Sequence, residues 1–266
     1  MLQIDGNSYA SRLLLGSANY PSLDILSQSL KQSGTGIVTV SLRRAKLQDA
    51  KKSNFFDALK KTGVDFLPNT SGCFTHQEII TVAEMGREIL ETNWVKLEAI
   101  GDDYTLFPDP VLLIETAIEL NKRGFKVFPY TSPDIVVCQK LVDAGCDILM
   151  PLAAPIGSGQ GPIYLQDLKR LRARFPNKTL IIDAGIGKPS HATQVMEMGY
   201  DAVLLNTAVA EARDPVSMAC AFAKSIEAGR MAYEAGMIEA HADAKPSSPL
   251  IDRPFWHNQQ ASDAAE

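Results

Sequence analysis

Eight short runs rich in apolar residues recur along the chain, separated by polar and glycine-bearing stretches. They fall at Arg12–Leu15, Gly36–Leu42, Val64–Leu67, Trp94–Ile100, Phe125–Tyr130, Cys146–Met150, Thr179–Asp183 and Asp201–Leu205. Short runs of this kind bounded by turn residues read as strands. Most of the intervening segments read as helices. The segment Thr75–Ile89 opens on a capping box, Thr75 with Glu78 three residues on. Leu112–Arg123 is amphipathic and stops at Gly124, Asp134–Ala144 stops at Gly145, and His191–Met198 stops at Gly199. Glycine just past the last turn is a common helix stop. Strands that alternate with helices imply a parallel sheet. Eight such units in about 250 residues predict a single-domain α/β fold, the (β/α)8 TIM barrel. A doubly wound open sheet is the alternative. It usually carries a glycine fingerprint in its first βα turn, and here that turn is Gly16-Ser17-Ala18-Asn19-Tyr20. The barrel is expected over residues 1–241. From Ala242 the composition shifts to Pro, Ser and other polar residues, which predicts an irregular tail over 242–266, free or folded over the mouth as a lid.

One strand breaks the apolar pattern. In Trp94–Ile100, alternation puts Val95, Leu97 and Ala99 on one face and Lys96 and Glu98 on the other. On an edge strand that second face would lie in water. In a barrel it points inward, near the C-terminal mouth where catalysis sits. Burial disfavours an ammonium ion, so a depressed lysine pKa is expected. A neutral lysine forms imines with ketones. Glu98 shares the Lys96 face and is the first acid/base candidate. Asp183, ending strand seven, is the second. Asp102 and Asp103 read as loop or cap residues, and Cys73 as an unreactive thiol at the mouth. His191 reads as a surface residue at a helix start. Arg43-Arg44 either reach an anion or stay exposed.

The loops after the last three strands carry a second signal. They read Pro155-Ile156-Gly157-Ser158-Gly159-Gln160-Gly161, then Asp183-Ala184-Gly185-Ile186-Gly187, then Asn206-Thr207-Ala208 before a short helical stretch. Glycines let backbone N–H groups approach an anion, and barrels often hold a phosphate at the loops after strands seven and eight. Tight βα turns alone would also use such glycines.

Composition narrows the field. The net charge of −5 makes no electrostatic case for nucleic acid or an anionic membrane. The four cysteines form no C-x-x-C pair and the four histidines are scattered. No disulfide framework and no metal site are expected, and a reducing cytoplasm is the simplest compartment. The N-terminus lacks a basic segment followed by an apolar one, and no apolar run is long enough for a membrane span. From the residues alone, the chain is a barrel enzyme that forms an imine with a phosphorylated carbonyl compound, of aldolase or isomerase type. A non-catalytic barrel that binds a sugar phosphate is the other reading.

A resemblance narrows this further. The runs Ser11-Arg12-Leu13, Leu67-Pro68-Asn69-Thr70 with Gly72-Cys73, Lys96-Leu97-Glu98, Pro108-Asp109-Pro110 and Asp183-Ala184-Gly185-Ile186-Gly187 stand in this order. With Leu204-Leu205-Asn206-Thr207-Ala208 and Ser247-Ser248-Pro249, they resemble the thiazole synthases of bacterial thiamine biosynthesis from about Leu2 to Leu250. The resemblance implies that the ketone of 1-deoxy-D-xylulose 5-phosphate forms an imine with Lys96. Glu98 and Asp183 would then shuttle protons in the following tautomerisation. Gly157, Ala184, Gly185, Asn206 and Thr207 would hold the sugar phosphate. Sulfur would come from the C-terminal thiocarboxylate of a small ubiquitin-like carrier protein. Dehydroglycine, made by a separate enzyme, would supply carbon and nitrogen. No metal or organic cofactor is implied. A homo-oligomer is, with Tyr104, Phe107 and the last helix as candidate contacts. The chain departs from the family's usual Gly-Thr-Gly-Lys-Tyr at Gly16–Tyr20, which removes a lysine. It also has Ala153-Ala154 in place of the usual Gly-Ser, and Lys188 where threonine is common.

Overall fold

In a computed structural model, residues 1–42, 50–245 and 247 are described. Arg43-Arg44 and Ser248-Pro249 lie outside them. The chain divides into a compact unit, Met1–Ala235, and a second unit from Gly236 onward. In the second unit, residues 236–245 hold no helix or strand and are exposed.

Met1–Ala235 is built around a closed barrel of eight parallel strands. Two short strands come first, β1 (Leu2–Ile4) and β2 (Asn7–Tyr9), paired as an antiparallel hairpin. The barrel strands are β3 (Leu13–Gly16), β4 (Ile37–Ser41), β5 (Asp65–Asn69), β6 (Trp94–Leu97), β7 (Lys126–Thr131), β8 (Ile148–Pro151), β9 (Thr179–Asp183) and β10 (Ala202–Leu205). They run in sequence order around the ring, and β10 pairs β3 to close it. The expected strands thus all form, with boundaries moved by at most three residues. The largest change is in β6, which ends at Leu97 rather than Ile100. The helices are α1 (Leu23–Ser33), α2 (Ala50–Lys60), α3 (His76–Leu90), α4 (Pro110–Lys122), α5 (Ile135–Asp143), α6 (Leu165–Arg174), α7 (Pro189–Glu197), α8 (Thr207–Ala210) and α9 (Pro215–Ala235). The capping box forms: the Thr75 hydroxyl accepts from the Glu78 N–H, and the Glu78 carboxylate accepts from the Thr75 N–H.

Side-chain alternation sorts the core into two apolar layers. Leu13, Leu15, Val38, Val40, Val95, Leu97, Val127, Leu180 and Ile182 face outward and pack with the helices. Leu14, Ile37, Leu67, Trp94, Phe128, Met150, Ile181 and Leu204 face inward and fill the barrel. The hairpin β1–β2 joins this inner layer through Leu2, Ile4 and Tyr9. It meets residues at the starts of strands, such as Ile37, Trp94 and Ile148, and so closes the N-terminal end. The Trp94 indole N–H donates to Asp5 Oδ2 at 2.9 Å, and the Tyr9 hydroxyl donates to Asp65. The sequence pattern did not predict the hairpin, because strands this short carry too little periodicity.

Trp94 fills the barrel directly below Lys96 on the same face of β6 and is 5% exposed. Trp94→Ala should therefore cost about 3–5 kcal/mol, as large aromatic truncations in cores do. Trp94→Phe should cost about 1 kcal/mol, mainly the lost hydrogen bond to Asp5. Urea denaturation of the two variants checks this order.

Candidate active site

Four strands on their inward faces carry polar residues at the C-terminal end. β4 presents Thr39 and Ser41, β5 presents Asn69, β6 presents Lys96, and β9 presents Asp183; each lines one cavity. The cavity has a volume of about 770 Å³, within the range of small-molecule sites. All eight residues nominated from the sequence line it: Lys96, Glu98, Asp183, Gly157, Ala184, Gly185, Asn206 and Thr207.

Lys96 Nζ lies 3.1 Å from Glu98 Oε1 and 2.7 Å from Asp183 Oδ2. The Asp183 contact is the shorter of the two ion pairs. All three side chains are buried, at 6%, 6% and 3% residue exposure. The Tyr130 ring adds a face toward the cation, 5.8 Å from Nζ to its centroid. A lysine with a depressed pKa is not what the structure shows. Burial alone would lower it, but the charges of Asp183 and Glu98 outweigh burial and raise the Lys96 pKa. Strand periodicity revealed that Lys96 is enclosed. It could not reveal that Asp183, three strands further round the barrel, reaches the same nitrogen. At rest Lys96 is an ammonium ion between two carboxylates. Burial and the nearby Glu98 charge also raise the Asp183 pKa, against the pull of Lys96. The affinity of Asp183 for a proton is therefore higher than that of an ordinary aspartate.

The glycine loops around the cavity are stitched together. Ala184 and Gly185 both have left-handed backbones, with φ of 65° and 79°. The Gly161 N–H donates to Gly185 O at 2.8 Å, and the Ala153 N–H to Ala184 O at 3.3 Å. A Cβ on Gly185 would stand 2.4 Å from the Ala154 backbone nitrogen, so only glycine fits. On the adjoining strands Gly16 leaves room for Asn206, whose Oδ1 would lie 2.8 Å from a Cβ there. That Asn206 oxygen is buried and unpaired.

Most of the other residues singled out in the sequence fall elsewhere. Cys73 is fully buried and does not line the cavity. Asp102 accepts from the Thr105 N–H and hydroxyl, which lower its pKa, and it stays exposed. Asp103 does line the cavity. His191 is not simply a surface residue: its Nδ1 accepts from the Gly187 N–H at 3.4 Å, and its ring lies where a Cβ on Gly161 would go. The sequence reading missed Asn69, Thr39 and Ser41. The available signal was parity, since each follows an inward apolar residue, Leu67 or Ile37, by an even step.

A closed parallel barrel with a buried lysine between two carboxylates, and glycine loops around the same cavity, defines the class: a (β/α)8 barrel enzyme with a lysine-centred site. Comparison with known proteins gives the family. Residues 3–249 match the family model for the thiazole biosynthesis protein ThiG. The thiazole synthase of Rhizobium rhizogenes is 55% identical over 253 residues, covering 95% of this chain and 98% of that protein. That of Burkholderia thailandensis is 54% identical over 256 residues, covering 96% and 94%. The solved structure of Amycolatopsis orientalis BexX in complex with CysO superimposes with a TM-score of 0.81 at 27% identity, covering 91% of this chain and 98% of that one. The chain belongs to the thiazole synthase family, enzymes of thiamine biosynthesis. No helix among the described residues is long and apolar enough to cross a membrane.

Lys96→Met leaves two buried carboxylates without a cation. At neutral pH the variant should lose about 3–5 kcal/mol of stability. The sign with pH follows from the raised Asp183 pKa, which rises further once the cation is gone. A carboxyl whose folded-state pKa lies above its unfolded value near 3.9 favours folding as it gains a proton. The deficit should therefore shrink as pH falls from about 8 to 5. Urea denaturation across that range would show it, and a deficit constant with pH would contradict the charge argument.

Proposed function

We propose that this protein condenses 1-deoxy-D-xylulose 5-phosphate, dehydroglycine and the sulfur of a carrier-protein thiocarboxylate into thiazole phosphate, through an imine on Lys96. The observation that carries this reading is the Lys96 amine held 2.7 Å from Asp183 and 3.1 Å from Glu98 in an enclosed cavity.

The chemistry begins with a proton. Asp183 takes one from the Lys96 ammonium, and the free amine adds to the ketone carbon. The adduct's nitrogen passes one proton to its oxygen, protonated Asp183 returns the other, and that oxygen leaves as water, so a protonated imine forms. This iminium cation occupies the place of the ammonium between the same two carboxylates. The field that keeps Lys96 charged at rest therefore also stabilises the iminium. The positive nitrogen acidifies the neighbouring C–H. Glu98 removes that hydrogen as a proton and the double bond shifts, which completes the tautomerisation. The thiocarboxylate sulfur then replaces the oxygen of the shifted carbonyl, and that oxygen leaves with the carrier's acyl group as its carboxylate. Sulfur bonds the dehydroglycine carbon, the dehydroglycine nitrogen displaces Lys96 as the free amine, and loss of water completes the ring.

The substrate phosphate is assigned to Gly157, Ala184-Gly185 and Asn206-Thr207. The left-handed backbone at Gly157, Ala184 and Gly185 turns this loop cluster into the cavity, and backbone N–H groups in such turns are anion ligands. The sulfur donor is assigned to a protein partner by analogy with BexX, which was solved in complex with CysO. A homo-oligomer is supported by exposed apolar residues on α9, Met231 and Tyr233.

The test is a borohydride trap. Incubation with 1-deoxy-D-xylulose 5-phosphate and reduction should add the reduced sugar phosphate to the peptide holding Lys96, with no adduct on Lys96→Ala. Absence of an adduct on folded wild-type protein would overturn the imine. Glu98→Gln should still trap, because Asp183 remains to take the Lys96 proton and to face the iminium. Its exchange of the hydrogen beside the imine with deuterium oxide should fall by about 10²–10⁴-fold.

A further inference from the structure

We infer that Thr70 is a positioning residue that sets the Glu98 carboxylate against Lys96, and so controls proton transfer on the imine without touching substrate. The inference rests on the assignment of Glu98 as the base at carbon.

Glu98 lies one residue past the end of β6, where strand pairing no longer fixes the backbone. The register between β5 and β6 pairs Asn69 with Lys96. Thr70 follows directly. Its N–H donates to Lys96 O at 3.1 Å, which continues the pairing by one bond. Its hydroxyl then replaces the missing ladder. It donates to Glu98 O at 2.9 Å and accepts from the Glu98 N–H at 2.9 Å. One side-chain oxygen thus satisfies both backbone groups of a single residue. Thr70 is held in turn by the Cys73 N–H, which donates to its carbonyl at 3.1 Å. The side chain is fully buried and does not line the cavity.

The physical consequence is specific. Glu98 has several rotatable bonds between backbone and carboxylate, so its position near Lys96 depends on an anchored Cα. Two hydrogen bonds from one stiff β-branched side chain supply that anchor. Catalytic geometry is sensitive to displacements of about an ångström, which can cost on the order of a hundredfold in rate. Lys96 has separate support. It sits within β6, and its carbonyl is held by the Thr70 backbone rather than the hydroxyl. Removing the hydroxyl alone should loosen Glu98 and leave Lys96 in place.

Thr70→Val keeps the shape and the backbone N–H and removes only the hydroxyl. The expected result is that imine trapping on Lys96 persists within a few-fold of wild type, with exchange of the adjacent hydrogen into deuterium oxide slowed about tenfold to a hundredfold. Thr70→Ser, which restores the hydroxyl, should recover exchange to within about fivefold. In a Glu98→Gln background, Thr70→Val should have no further effect on exchange, because two changes that act through one carboxylate do not multiply. If the valine variant does not fold, Thr70→Ala carries the same comparisons. Exchange within twofold of wild type in the valine or alanine variant would overturn the inference. So would equal losses in trapping and exchange, or a multiplicative loss in the Glu98→Gln background, since these mark a general structural lesion. An inert Glu98→Gln single variant would instead bring down the assignment of Glu98 itself.

Discussion

The site depends on one buried cation shared by two carboxylates. Lys96 cannot be left alone in the barrel, because an isolated buried ammonium would shed its proton. Glu98 and Asp183 reverse that tendency. The resulting cluster holds one positive and two negative groups, and its excess negative charge is what a developing iminium needs. Under the imine chemistry proposed for this site, resting state and intermediate would be matched electrostatically, and little rearrangement would be required between them.

The barrel makes this cluster possible. Closure puts the ends of β6 and β9 across a common interior. The apolar plug below, with Trp94, Phe128 and Met150, excludes water from under the lysine, and the N-terminal hairpin closes the far end. Above, the loops after β8 and β9 lock together through Gly161 and Gly185. Rigid support below and a fixed loop cluster above leave the cavity as the place where a ligand fits.

Much of this was legible in the sequence, residue by residue. Strand parity marked Lys96 and Glu98 as inward, and the glycine clusters marked the loops around the cavity. The ThiG match over residues 3–249 agrees with the family that the ordered motifs pointed to. The lysine pKa was read in the wrong direction, because local sequence shows burial but not the partner that arrives from β9. The role of the Thr70 hydroxyl was equally hidden. It acts on a residue 28 positions away, at a point where the ladder between neighbouring strands has ended.

By itself, then, the sequence determined what depends on near neighbours along the chain: the strand and helix cadence, the face on which each strand residue lies, and the glycines that permit left-handed turns. Tertiary structure decided what depends on distances between separate strands. It brought Asp183 to Lys96, set the sign of the lysine's pKa shift, and tied Glu98 to Thr70. Periodicity is a property of consecutive residues, whereas charge interaction and hydrogen bonding fall off over a few ångströms of space, and only closure of the barrel supplies those distances.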